Sequence, residues 1–299
     1  MRAIISRYAP APTGFLHLGH VVNAIYVWGV TRRLHGRVLL RIEDHDRQRS
    51  RPEYDAAIVE DLAWLGFVAD EPAVRQSDRQ SMYSDALASL RNRGLVYACG
   101  CTRADIAARH RTSNERPETG DRYPGTCRDR GLREASGLGL RVRLDPSVER
   151  FVDLRHGPCE QCPSAQCGDL LARDREGNWT YQFAATVDDW QQGVTLVIRG
   201  DDLLESTGRQ QQLARLLGRA GPPRSLHHPL IMKSATQKLS KSDGDTGVRD
   251  LRARGWTPEA VIGQAAALAG VIPAARDVRA EEVSSIMSAF MERELWHDV

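Results

Sequence analysis

Lysine is almost missing from this chain. Of its 41 basic residues only Lys233, Lys238 and Lys241 are lysine, and the other 38 are arginine. Where arginine serves nearly everywhere, three lysines within nine positions point to a site that needs a compact, mobile ammonium rather than a planar fork. Cysteine is absent from both flanks, since all six cysteines fall between residues 99 and 167. No stretch approaches the roughly 18 apolar residues required to span a bilayer, so no membrane partner is expected. The N-terminal MRAIISRYAPAPTGF carries Arg2 and Arg7 and lacks a sustained apolar run, which excludes a secretory signal and predicts a cytoplasmic location. A strong charge of one sign is also lacking: the net charge of +2 does not by itself announce a nucleic-acid partner. Internal repeats and low-complexity runs are absent.

What is present is ordinary for a globular chain: 299 residues, 41% apolar and 27% charged, enough for two or three domains around separate cores. IISRYA (4–9) reads as a buried strand that runs into the loop APAPTGFLHLG and a helix from about His20 to His35. RVLLRIED (37–44) is a second strand, and a helix from Pro52 to about Leu65 follows, with proline at a helix-starting position. A helix from Asp78 to Arg93 is predicted, with Asp78 as N-cap and Gly94 at its end. Residues 103–138 break the pattern, being arginine-rich and punctuated by Gly and Pro. Short strands are expected at 139–144, 168–173 and around 180–187. A strand at 194–200, a helix at 202–218, a strand near 226–232 and a helical tail over 246–299 complete the reading. The fold class is α/β, a parallel sheet with helices on its faces. The expected domains are 1–97, the first half of a nucleotide-binding fold; 98–190, an insertion with the cysteines; 191–242, the second half; and 243–299, a helical segment.

Two segments carry phosphate chemistry. In APTGFLHLGH (11–20) a strand yields to a glycine-bearing turn and a helix, whose exposed N–H groups and positive dipole end suit phosphate. His17 and His20 are three apart and can share that face, either as phosphate donors or in capping and packing roles. KLSKS (238–242) frames two of the three lysines with serines ahead of the flexible Asp243-Gly244-Asp245.

HLGH and KLSKS, in that order and flanking a broken α/β pattern, resemble the HIGH and KMSKS motifs of class I aminoacyl-tRNA synthetases. The resemblance implies a Rossmann-like fold with an insertion. It implies in-line attack of an amino-acid carboxylate on the α-phosphate of ATP, with Mg²⁺ accompanying the nucleotide. His17, His20 and Lys241 are then the catalytic residues, and Thr13, Gly14, His17, Gly19, His20, Lys238, Ser240 and Lys241 the ATP-binding set. SRYAPAPTGFLHLGH, LLRIEDHDRQRS (39–50) and LVIRGDDLLESTGRQ (196–210) are similar to the glutamyl branch, and the similarity covers most of residues 4–245. It implies L-glutamate as substrate, held by Arg7, Ala9, Ala11, Glu43, Tyr181 and Arg199. The chemistry agrees: Arg7 and Arg199 lie near strand C-terminal ends and can pair carboxylates, and Glu43 can take the ammonium. Taken singly, either arginine also fits an interdomain ion pair. Glutamine is the competing substrate, but a neutral amide leaves a buried arginine unpaired.

Clustered cysteines in such a chain point to a metal before disulfides. Cys99-Gly-Cys101 followed by Tyr123 and Cys127 is similar to the zinc site of a shorter subgroup, the glutamyl-Q tRNA(Asp) synthetases. The resemblance implies one structural Zn²⁺ on Cys99, Cys101, Tyr123 and Cys127. The loop between Cys101 and Tyr123 is longer than the subgroup's, and Cys159-x-x-Cys162 with Cys167 offers either an independent metal spacing or a fourth ligand from Cys159 or Cys162. Only 57 residues follow Ser242, with nothing resembling the helical anticodon-binding region of a full-length glutamyl-tRNA synthetase. The subgroup shares this short form. It implies transfer of glutamate to queuosine in the anticodon loop of tRNA(Asp), by a monomer. The insertion, with 12 Arg against 9 Asp and Glu over 103–155, would contact phosphates or simply be a solvated surface. Two alternatives remain: a truncated glutamyl-tRNA synthetase charging a tRNA 3′ end, and a non-catalytic nucleotide- or RNA-binding paralogue.

Overall fold

A computed structural model describes residues 3–112, 122–231, 247–294 and 296. Lys233, Lys238, Ser240 and Lys241, and with them the whole KLSKS segment, lie outside the described residues.

The first third alternates as its sequence pattern dictates: β1 (Ile5–Tyr8), α1 (Leu18–Arg33), β2 (Arg37–Ile42), α2 (Pro52–Leu65), β3 (Val74–Arg75) and α3 (Gln80–Asn92). Pro52 starts α2 because its fixed φ suits the first turn and its missing N–H would have no partner there. Gly66 ends α2 at φ 82°, a conformation that a Cβ penalises. Asp78 does not cap α3. It lies in a tight 3₁₀ turn, Gln76–Arg79, and Arg79 occupies the cap position. The fully buried Gln76 draws the chain into that turn by hydrogen-bonding Asp188 and His45.

The middle third contains β4 (Val96–Cys99), α4 (Arg103–Thr112), β5 (Gly139–Val142), β6 (Glu149–Asp153), β7 (Gly157–Gln161), α5 (Pro163–Gln166), β8 (Leu170–Arg173) and α6 (Tyr181–Gln191). The segment around 180–187, expected as a strand, is therefore the start of a helix. Phe183, Ala184 and Val187, spaced three and four apart, pack together into one core, which helical geometry permits and strand alternation does not. Strands β4, β5 and β8 form an antiparallel sheet over that core, which includes Leu87, Leu140, Val142 and Trp179.

The last third supplies β9 (Leu196–Gly200), α7 (Ser206–Leu216), β10 (Arg224–His228), α8 (Val248–Ala253), α9 (Pro258–Leu268) and α10 (Val283–Arg293). The helix expected from 202 starts only at Ser206, after a 3₁₀ turn over Asp201–Leu203. β1, β2 and β3 pair in parallel, as do β9 and β10. Thr195 N donates to Ile5 O at 2.8 Å and Ile5 N to Thr195 Oγ1 at 2.9 Å, which sets β9 beside β1. The hairpin β6–β7 falls within 98–190 yet extends the other edge, because β6 pairs in parallel with β10 at Asp153 and Ser225. The paired orders are β3-β2-β1 and β9-β10-β6-β7, in which β7 is antiparallel to β6 and the other pairs are parallel, and the two sets meet where β9 lies beside β1.

Helix α1 is buried on most sides, between this sheet and the helical tail. A Cβ on Gly29 would lie 2.9 Å from Met287 Cβ, so the absent side chain lets α1 and α10 approach closely. Among the described residues no helix is long and apolar enough to cross a membrane.

Candidate active site

The C-terminal ends of β1, β2 and β9 open onto one cavity of about 460 Å³. Its lining includes Arg7, Ala9, Ala11, His17, Gly19, His20, Glu43, Tyr181 and Arg199. All six residues expected around the amino acid thus share a cavity with both histidines, drawn from segments up to 192 positions apart. Thr13 and Gly14 sit in the preceding turn and do not line it.

The histidines cap and line at once. His17 Nδ1 accepts from Gly19 N at 3.0 Å, and His20 Nδ1 accepts from His17 N at 3.1 Å, closing a reciprocal cap at the start of α1. An Nδ1 that accepts leaves the neutral ring's proton on Nε2, so each ring carries an N–H donor at its outer edge. The ring centroids are 4.0 Å apart. Capping and phosphate donation, alternatives from sequence, are compatible here.

Arg7 and Arg199 differ electrostatically. Arg7 Nε donates to Asp189 Oδ1 at 3.0 Å and Nη1 to Ile198 O at 3.2 Å. The same Asp189 oxygen accepts from Arg41 Nη1 at 2.7 Å, and Arg41 Nη2 donates to Glu43 Oε1 at 3.0 Å. Burial would raise the Asp189 carboxyl, but the two guanidiniums outweigh it and hold the pKa at about 2. Arg41, wholly buried, has its pKa raised: burial opposes, and Asp189, Glu43 and Asp188 prevail.

Arg199, also buried, donates Nη1 to Gln210 Oε1 at 2.7 Å and to Tyr181 Oη at 3.4 Å, Nη2 to Thr207 Oγ1 at 2.9 Å, and Nε to His227 Nε2 at 3.0 Å. Every one of these partners is an uncharged side chain or, for His227, a ring whose pKa is lowered by burial. Among the described residues no carboxylate forms an ion pair with Arg199. A buried cation without a counter-ion at a cavity wall calls for an anionic ligand.

Sequence reasoning did not single out Arg41, Asp188, Asp189, Gln210, Asp153 or His227. Each acts through a partner far along the chain, and only the adjacency of the acidic pair at 188–189 to a helical apolar stripe could have drawn notice.

A second cluster lies in the antiparallel sheet's loops. The sulfurs of Cys99, Cys101 and Cys127 all lie within 4.8 Å of one another. Tyr123 Oη is 3.3 Å from Cys99 Sγ and accepts the Cys127 N–H at 2.8 Å. Arg141 Nε donates to Cys99 Sγ at 3.4 Å, and its guanidinium lies 3.7 Å from the centre of the Tyr123 ring. Cys159, Cys162 and Cys167 are turned to other partners, namely Gly157 O, Ser164 Oγ and Pro163 O. Neither Cys159 nor Cys162 joins the cluster, so the mixed site considered from sequence is not formed.

The family model for tRNA synthetases class I (E and Q), catalytic domain, matches residues 3–296. The chain belongs to that family of class I tRNA synthetases. It is 41% identical over 295 residues to a glutamyl-Q tRNA(Asp) synthetase of Symbiobacterium thermophilum, covering 94% of this chain and 91% of the relative. A glutamyl-Q tRNA(Asp) synthetase of Bordetella bronchiseptica is 46% identical over 246 residues, 80% of this chain and 75% of the relative. The fold also matches a crystal structure of a glutamate tRNA ligase from Elizabethkingia meningosepticum in complex with its amino acid, with a TM-score of 0.78 and 26% identity. That match covers 96% of this synthetase and 64% of the ligase. A ligase of the class I synthetase fold is what the sheet, the HLGH cap and the cavity at the strand ends together describe.

Proposed function

We propose that this synthetase activates L-glutamate with ATP and passes the glutamyl group to queuosine in the anticodon loop of tRNA(Asp). The observation that carries the amino-acid assignment is Arg199, a buried guanidinium on the cavity wall whose protein partners are all neutral. A side-chain carboxylate supplies the missing charge and can accept the fifth guanidinium N–H. Glutamine's amide would leave the guanidinium uncompensated, a loss that sites built around a charged partner use to reject neutral analogues. Arg7 lines the cavity from the end of the neighbouring strand, and Glu43, tied to Arg41 through one oxygen, would receive the substrate ammonium.

With glutamate so placed, an α-carboxylate oxygen attacks the α-phosphorus of ATP, the P–O bond to pyrophosphate breaks, and glutamyl-adenylate forms. The Nε2–H groups of His17 and His20 would donate to the phosphate chain, and Lys241 would neutralise charge on the departing pyrophosphate. Mg²⁺ would enter with the nucleotide. Transfer then breaks the acyl–phosphate bond, releases AMP and joins the glutamyl carbon to the acceptor.

The names of these two relatives support tRNA(Asp) as the acceptor and a glutamyl-Q activity. The three converging thiols fit Zn²⁺, with Tyr123 as the oxygen nearest to completing a tetrahedral set. The Arg141 guanidinium donates to the Cys99 sulfur, one of the atoms that would hold the ion. The ion would stabilise the insertion rather than take part in chemistry.

Exchange of radiolabelled pyrophosphate into ATP, with glutamate and no tRNA, tests the activation step. Glutamate-dependent exchange is expected, and its absence would sink the assignment. Digestion of charged tRNA(Asp) to nucleosides tests the acceptor: glutamate is expected on queuosine, and glutamate on the terminal adenosine alone would identify a 3′-end synthetase instead.

A further inference from the structure

The cation that the cavity presents to glutamate is itself held by a residue pair that the motifs do not include. We infer that His227, set in one tautomer by Asp153, is the positioning residue that makes Arg199 a carboxylate binder. The inference rests on the glutamate reading above and identifies what maintains that site.

The argument begins with donors and acceptors. A guanidinium is donor only, so Arg199 Nε, 3.0 Å from His227 Nε2, requires a lone pair on that nitrogen. His227 must then be neutral with its proton on Nδ1. Asp153 Oδ2 lies 2.7 Å from Nδ1 and accepts that proton's hydrogen bond. Thr207 Oγ1 braces the arrangement, accepting from Arg199 Nη2 at 2.9 Å and standing 3.2 Å from His227 Nε2, whose single lone pair takes the Arg199 Nε–H. Asp153 and His227 are both wholly buried, so water does not replace a lost partner. A second proton on His227 would set N–H against N–H. Burial and the charge of Arg199 resist it, although Asp153 and Asp201 favour it.

Asp153 is fixed from its other side. Its Oδ1 accepts from the backbone N–H groups of Arg155 and His156, each at 3.1 Å, in the turn that ends β6. Both oxygens are therefore committed as acceptors, one to the turn and one to the imidazole. This makes Asp153→Asn informative. The two turn N–H groups cannot change character, so the amide must keep its oxygen toward them and present NH₂ to His227 Nδ1. The imidazole then shifts its proton to Nε2 and faces Arg199 donor to donor. Four of the five N–H donors of Arg199 are held by Tyr181, Gln210, Thr207 and His227, and loss of the Nε anchor lets the fork rotate away from the substrate. Because β6 belongs to the inserted segment, the insertion contributes to amino-acid binding through His227, by one carboxylate at the point where it joins the sheet.

The test is steady-state pyrophosphate exchange with L-glutamate and ATP on the full chain. Asp153→Asn should raise the KM for glutamate roughly 10- to 100-fold, as for loss of one charge-assisted hydrogen bond, with kcat and the KM for ATP nearly unchanged. A folded variant with the parental glutamate KM overturns the inference, as does an equal rise in both KM values, which would mark general distortion. In the double variant Asp153→Asn with His227→Gln, the glutamine carbonyl restores an acceptor near the Nε2 position independently of tautomer. Glutamate KM should recover several-fold, and no recovery overturns the inference. Should the Asn variant not fold, the parental protein decides: ¹⁵N imidazole spectra should show His227 protonated on Nδ1, and protonation on Nε2 overturns it. Absence of exchange in the parental protein would instead count against glutamate activation, and the tautomer result would still stand or fall alone.

Discussion

Asp189→Asn perturbs the one carboxylate shared by two buried arginines. Its Oδ1 receives Arg7 Nε at 3.0 Å and Arg41 Nη1 at 2.7 Å, and its side chain is only 8% exposed, so solvent screening is slight. A carboxyl held at about 2 instead of 3.8 corresponds to about 2 kcal/mol of stability at neutral pH. The substitution removes that charge and leaves Arg7 Nε a neutral amide oxygen in place of the carboxylate, beside its backbone carbonyl partner, while Arg41 keeps Glu43 and Asp188. Breaking a buried pair in this way costs about 3–5 kcal/mol; the retained partners of Arg41 place this case near the lower end, about 3 kcal/mol. The sign in pH follows from the depressed folded-state value. The contribution is complete above the unfolded pKa, near 4, and disappears as pH falls toward about 2. Urea unfolding of both proteins at pH 7 should therefore show a gap of about 3 kcal/mol that narrows between about pH 4 and pH 2. A gap below about 1 kcal/mol at pH 7, or one that stays constant through the acid range, would refute the reasoning.

Other outcomes follow from the same structure. Lys241→Ala should lower pyrophosphate exchange by ~100-fold or more while the melting temperature stays put; an unchanged rate would contradict its role. The purified protein should hold one Zn²⁺ per chain by elemental analysis. Cys99→Ser and Cys127→Ser should lose it and Cys159→Ser should retain it, and equal retention by all three would move the site elsewhere. Gly168 has φ +68°, and a Cβ there would lie 2.1 Å from Tyr123 O, so Gly168→Ala must displace the tyrosine backbone. A loss of about 2–3 kcal/mol is expected from the left-handed conformation and the clash together, and an unaltered melting curve would exclude it.

Much of the fold was legible because local chemistry and tertiary context agree. Strand 37–42 is apolar and β-rich, α2 is bracketed by Pro52 and Gly66, and HLGH starts a helix whose cap is made by its own histidines. Legibility failed where the partner lies far away. Residues 180–187 are rich in aromatic and β-branched side chains, which favours a strand locally. They fold as a helix because Phe183 and Val187 reach one core while Asp188 and Asp189 reach buried arginines on its other side. The hairpin β6–β7 alternates charged residues such as Arg150 and Glu160, whose ion pair crosses the two strands and is invisible before pairing.

The sequence alone picked out the HLGH and KLSKS motifs, the candidate amino-acid residues and the thiols of the cluster, because these depend on residue types at short spacing. Tertiary structure decided which of those side chains meet. Among the described residues it kept Cys159, on β7, and Cys162, just past its end, out of the thiol cluster. Among the described residues it gave Arg7 a counter-ion and Arg199 none, although the two read alike in sequence. It also placed Asp153 behind His227 and His227 behind Arg199. Charge compensation and tautomer are properties of a buried neighbourhood, and that neighbourhood exists only once β6, β9 and β10 lie side by side.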